Sequence, residues 1–222
     1  MFAIFSAGLA PAMALMSFFY LKDRFTEPLH LIIRTFVYGA LLVFPIMFIQ
    51  YVLQSEAISN NSVIESFLFV AFFEEFFKWF IFIYTIYHHS EFDQHYDGIV
   101  YGVAISLGFA SVENILYLIT NGLEYAVIRA VFPVSSHALF GVIMGYHLGL
   151  AKVLGRKEKG NILLALLLPI LLHGTYNYIL DTATNNWLIL LIPFMMVLWF
   201  LALRRVKSAN APISVTHVSR HL

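Results

Sequence analysis

The chain has 222 residues, 60% of them hydrophobic and 12% charged, with a mean hydropathy of +0.81 and a formal net charge of zero. Soluble domains carry about 25% charged residues, so lipid is the simplest solvent for this composition, and the zero balance offers no bulk attraction to nucleic acid. The absence of cysteine excludes disulfides, thiolate metal ligands and a cysteine nucleophile.

A membrane-spanning helix needs about 20 largely apolar residues. Seven such stretches are predicted, at 2–21, 31–54, 63–87, 98–119, 126–151, 162–181 and 187–204. The fifth leaves room for a re-entrant piece or an eighth span. The sequence therefore predicts an all-α fold, a polytopic transmembrane bundle over 1–206, with a polar cytoplasmic tail at 207–222. The apolar start is followed by Lys22 and Arg24 rather than preceded by positive charge, which reads as a retained first span and not a cleaved signal. With the N-terminus outside, Lys22, Arg24, Arg34, Lys152, Arg156, Lys157, Lys159, Arg204, Arg205, Lys207 and Arg220 all fall on the cytoplasmic side. These are eleven of the thirteen Lys and Arg residues, as the positive-inside rule asks. Only Lys78, inside the third span, and Arg129, at the outer edge of the fifth, stand apart. Gly98, Gly102 and Gly108 in the fourth span, and Gly141, Gly145 and Gly149 in the fifth, predict close helix contacts. Pro45 and Pro169 predict kinks.

Ionisable side chains at bilayer depth are expensive and usually face the bundle interior. The third span carries Glu74-Glu75-Phe76-Phe77-Lys78. Glu74 and Lys78 share a helix face, as do Glu75 and Lys78, leaving one carboxylate in excess of the cation. Read alone, this is either a buried ion pair with a spare acid or a proton-transfer site. The fourth span carries Glu113-Asn114, close enough to the outer end for Glu113 to be merely interfacial. The fifth carries Ser135-Ser136-His137, and its His147 reads as structural. The sixth carries His173 and Asn177, four apart and so on one face. Glu74 lies about eleven residues, or roughly 16 Å, below the outer surface. His137 is at a similar depth, and the antiparallel sixth span brings His173 and Asn177 to the same layer.

A base, a water and donors for a developing oxyanion are the parts of peptide hydrolysis without a covalent intermediate. No HExxH is present, and serine chemistry is open only through Ser135 or Ser136 beside His137. A zinc-dependent protease and a proton-coupled transporter using the Glu and His chain as a relay are the competing classes. Against transport, no internal repeat is visible.

The motifs EEFFK, FASVEN, HALFG and HGTYN, in that order, resemble the PrsW family of bacterial membrane proteases. The similarity runs over nearly the whole chain, through MFAIFSAGLAPAMAL, HYDGIVYGVAISLGFASVENILYLI and VSSHALFGVIMG. The family in turn is similar to the glutamate-type intramembrane proteases that include the type II CAAX prenyl enzymes. Those usually have three residues and an Arg after the Glu pair, where this chain has two and Lys78. The resemblance implies an endopeptidase of the bacterial cytoplasmic membrane that makes the first, outer-side cut in a single-span anti-sigma factor during a stress response. It implies Glu74 and Glu75 as the catalytic pair, one of them the general base on water. His173 comes next, with Asn177 its partner at the oxyanion, and Glu113 and His137 complete the set. No metal or other cofactor is expected, because no pair has the HExxH spacing and Lys78 beside the Glu pair would repel a metal; the partners implied are the substrate and the bilayer.

Overall fold

A computed structural model describes residues 1–56, 58–59, 61–155, 157–183 and 185–211. Arg156, Asn60 and the tail beyond 211, including Arg220, lie outside the described residues. Among those described there are seven helical rods and no strand. They are α1 (Phe2–Leu21), α2 (Leu29–Ser55), a rod over 64–87 built around α3 (Phe73–Phe82), α4 (His95–Asn121), a rod over 123–152 containing α5 (Ala126–Arg129) and α6 (Ser135–Lys152), α7 (Glu158–Thr182) and α8 (Trp187–Ala209). Six of these are long and apolar enough to cross a membrane. The exception is the rod around α3, which holds Glu65, Glu74, Glu75 and Lys78 and divides into π-, α- and π-helical parts.

Helix ends depart from the apolar runs, because capping and not hydropathy decides them. α4 starts at His95, three residues ahead of the apolar run. Gln94 and Asp97 form a reciprocal capping box there, each side chain accepting the other's backbone N–H. α8 continues past the apolar segment to Ala209, so the first residues of the polar tail are helical. Within the fifth rod, Pro133 has no N–H for the i−4 carbonyl, and Ala130–Val134 is π-helical. Pro45 and Pro169 lie inside α2 and α7, both unbroken helices.

α4 is the axis of the bundle: from His95 through Ser111 every side chain is buried, and it packs on α6, α2 and α1. Glycine makes the α4–α6 approach possible. A Cβ on Gly145 would collide with the Gly98 carbonyl, and one on Gly102 with the Gly141 carbonyl. Gly108 serves a different partner, meeting the Phe36 carbonyl of α2. Six residues past Gly102 a helix has turned by roughly 240°, onto another face. The outer rods present large apolar side chains outward, Phe44, Phe48 and Tyr51 on α2 and Met196 and Phe200 on α8 among them. Only lipid or another apolar partner suits that surface.

Candidate active site

α3 lies against α2, α4 and α7, and its Lys78 reaches His137 of α6, so its polar residues point into the bundle. Glu75 and Lys78 are completely buried and Glu74 is 6% exposed. The Lys78 ammonium has three N–H bonds and three acceptors: Glu75 Oε1 at 2.8 Å, Glu74 Oε2 at 3.3 Å and His137 Nδ1 at 3.3 Å. Its remaining side is covered by the Phe109 ring, 4.1 Å away. Gln50 of α2 donates to the other oxygen of Glu74 at 3.2 Å. His173 Nδ1 donates to Glu75 Oε1 at 3.0 Å.

The ammonium also fixes a tautomer. Lys78 can only donate, so His137 Nδ1 accepts and the ring proton sits on Nε2. From there it is donated to Glu113 Oε2 at 3.0 Å. The Glu113 carboxylate is held in turn by Arg129 Nη2 at 3.1 Å, and Arg129 Nε donates to Asn114 Oδ1 at 2.8 Å. Asn114 then donates to the Gly8 carbonyl of α1. The guanidinium lies 4.0 Å over Tyr117. The His137 and His173 rings meet edge-on at 5.0 Å, and Phe140 stacks on His173 at 5.1 Å. Three carboxylates and two cations thus share one connected network.

Glu74, Glu75, Glu113, His137 and His173 therefore come together; Glu113, whose position near the outer end left an interfacial reading open, is drawn in through His137. Asn177 lies one turn beyond His173, and its Nδ2 is buried without a partner. Glu75 Oε2 is also buried without a partner. Each of these atoms is paid for with desolvation and has no compensating bond within the protein. Ser135 and Ser136 take no part, since each hydroxyl donates to a carbonyl of its own preceding turn, Val131 and Pro133. His147 is bonded to Asn161 at 2.9 Å, apart from this network. Sequence reading missed Gln50 and the role of Arg129. The signal for Gln50 was a lone amide in an apolar span. Arg129 gave none beyond its exclusion from the cytoplasmic charge set, because its pairing with Glu113 needs two rods to be side by side.

A family profile described as "PrsW family intramembrane metalloprotease" matches residues 27–203. The chain belongs to the PrsW family. Protease PrsW of Oceanobacillus iheyensis is 61% identical over 210 residues, 95% of this chain and 97% of the relative. Protease PrsW of Bacillus subtilis is 54% identical over 213 residues, with the same coverage. Protease PrsW of Clostridioides difficile is 31% identical over 214 residues, 92% of this chain and 90% of the relative. No solved structure matches. The chain is thus a bacterial multi-pass membrane peptidase, of the family its motifs resemble.

The PrsW description names a metalloprotease, and one donor atom from each of Glu74, Glu75, His137 and His173 lies within 4.8 Å of the others. Such N and O donors suit zinc. The space among them, however, holds the Lys78 ammonium, whose three N–H bonds point at three of the four. A divalent ion there would face a buried positive charge at contact range, where low dielectric magnifies repulsion. Lys78 has no exposed route of retreat, being wholly buried under Phe109. The residues as arranged do not fit a bound metal.

Proposed function

We propose that this PrsW-family chain is an endopeptidase that hydrolyses a single-span membrane protein with a water activated by Glu75. The observation that carries this reading is a pair of unpartnered buried atoms, one acceptor on Glu75, whose other oxygen is bonded to His173, and one donor on Asn177, one helical turn from His173. Glu75 Oε2 is the free acceptor and Asn177 Nδ2 the free donor. A water bonded to Glu75 Oε2 gives up a proton to that carboxylate as its oxygen attacks the peptide carbonyl carbon. The developing oxyanion takes the Asn177 amide N–H. Glu75 then returns the proton to the amide nitrogen, the C–N bond breaks, and a carboxylic acid and an amine leave, the acid passing its proton to the amine once in water. Glu75 Oε1, fixed by Lys78 and His173, orients the base. Glu74, between Gln50 and Lys78, holds the ammonium in place. Glu113 and His137 support the same ammonium from the other side.

The resemblance to the PrsW family motivates the rest: an anti-sigma factor as the substrate, cut first on the outer side. The orientation with the N-terminus outside rests on the distribution of Lys and Arg.

The test is cleavage of a co-expressed single-span anti-sigma factor. Glu75→Gln should lower the cleavage rate by about 10²- to 10⁴-fold at unchanged membrane levels. Glu74→Gln should slow it less. Wild-type cleavage by Glu75→Gln would remove the base from the scheme. In purified enzyme, EDTA or phenanthroline should leave the rate unchanged. Loss with chelator and recovery with Zn²⁺ would overturn the metal-free scheme.

A further inference from the structure

At the other end of α4 from Glu113, about 24 Å away along the helix, a second group of acids converges. Asp23 follows α1, Glu27 precedes α2 and Asp97 stands in the first turn of α4. One carboxylate oxygen from each lies within 4.8 Å of the others. Asp97 is completely buried and Glu27 is 6% exposed. Asp97 Oδ2 accepts the backbone N–H groups of Gln94 at 2.6 Å and Asp93 at 3.0 Å. Its Oδ1 is buried with no partner, and so is Asp23 Oδ2. Glu27 Oε2 accepts the Tyr101 hydroxyl.

No described Lys or Arg forms an ion pair with any of the three. Lys152, the cation whose field reaches Asp97, is bonded to the His89 carbonyl at 2.7 Å and lies over Phe92. Lys22 lies over Phe18. Arg24 lines a surface groove with Asp93 and Gln94, beside the acids. Asp93 adds further negative charge. Buried carboxylates without a cation are unstable as ions.

We propose that Asp23, Glu27 and Asp97 bind a hard divalent cation, Ca²⁺ or Mg²⁺. The donors are all oxygen, with neither imidazole nor sulfur, which is the chemistry those ions select. The unpartnered Asp97 oxygen supplies a fixed ligand. The ion ties the α1–α2 link to the start of α4, the helix whose far end carries Glu113 and Asn114. This site is separate from the Lys78 network and does not depend on the mechanism proposed for it.

The experiment uses the full chain, purified in detergent and stripped with EDTA. Its unfolding midpoint and its binding heat are followed as Ca²⁺ or Mg²⁺ is added alone. One of the two ions should raise the midpoint by about 5 °C or more at saturation, and the one that does so identifies the source. Asp97→Asn should abolish both the shift and the heat. Because Asp97 also caps α4, Glu27→Gln is the second variant and should do the same. Glu75→Gln should keep the full response, since it alters only the Lys78 network. A wild-type chain indifferent to both ions at millimolar concentration overturns the proposal. So does a response that survives both Asp97→Asn and Glu27→Gln, or one that Glu75→Gln removes.

Discussion

At the scale of single residues, the site is organised by what a buried ammonium needs. Lys78 has three donors and finds three acceptors, so each neighbour is held by a bond it cannot trade for water. That makes Arg129 informative, because it acts on Lys78 only through Glu113 and His137. Its guanidinium bridges two acceptors on α4, Glu113 and Asn114, which an ammonium on a flexible stem does not reproduce. Arg129→Ala should reduce cleavage per folded molecule by roughly 10- to 100-fold through misplacement of His137, and Arg129→Lys should recover part of it. The check is a cleavage rate normalised to the folded fraction, measured for both variants. Rates equal to wild type, with only a lower unfolding midpoint, would make Arg129 structural. Glu74, Glu75, Lys78, His137 and His173 were legible in the sequence because lipid makes every polar side chain conspicuous. Their partners were not, since Gln50, Phe109 and Arg129 gain meaning only when rods are neighbours.

At the scale of elements, the site exists because α4 and α6 come close enough for His137 to reach Glu113 and Lys78. That approach is set by glycine. Gly145→Ala places a methyl against the Gly98 backbone carbonyl, which has no side-chain freedom to yield. Overpacking of this kind costs about 1–3 kcal/mol, a fall of several degrees in the unfolding midpoint for a chain of this size. Gly160→Ala, in the first turn of α7, meets nothing nearer than the Lys157 Cβ at 3.9 Å and should leave the midpoint unchanged or slightly higher, given alanine's better helix propensity. Thermal unfolding of the two variants beside wild type settles it; equal midpoints for all three would mean the seam is not tight. The small-residue spacing announced the seam, and all seven rods were readable as long, largely apolar runs. The irregular turns were not. The π-helical parts flanking α3 and the early start of α4 come from hydrogen bonds that hydropathy does not encode. The acids near α1 are invisible as a group in sequence, because Asp23 and Glu27 look like loop residues until Asp97 is brought to them.

At the scale of the whole molecule, the two polar clusters divide the bundle, and the division bears on where a substrate is cut. Glu113 lies eight residues from the Asn121 end of α4, about 12 Å, and His173 nine from the Thr182 end of α7, about 14 Å. Both are farther from the opposite ends of their helices. Glu75 is near the middle of its rod. The Lys78 network is therefore central, displaced toward the face that carries the 122 and 183–186 links, and the Asp23–Glu27–Asp97 group marks the other face. In the orientation proposed from the Lys and Arg distribution, the first face is external. A reporter fused after Lys207 should then be cytoplasmic, and one inserted in the 56–62 link should be outside. Glu113 and His173 bring the network closest to water on that external side. A substrate helix must also lose its backbone hydrogen bonds before its carbonyl is open to attack, and within lipid those freed groups have no partner. At the external end of its span water supplies one. Cleavage should therefore fall in the outer turns of the substrate's span or just outside them, leaving a membrane stub attached to the cytoplasmic part. Mass spectrometry of the stub reads the new N-terminus directly. A terminus in the cytoplasmic half of the span would mean that the substrate reaches Glu75 from the other face, and that the depth of the site does not select the bond.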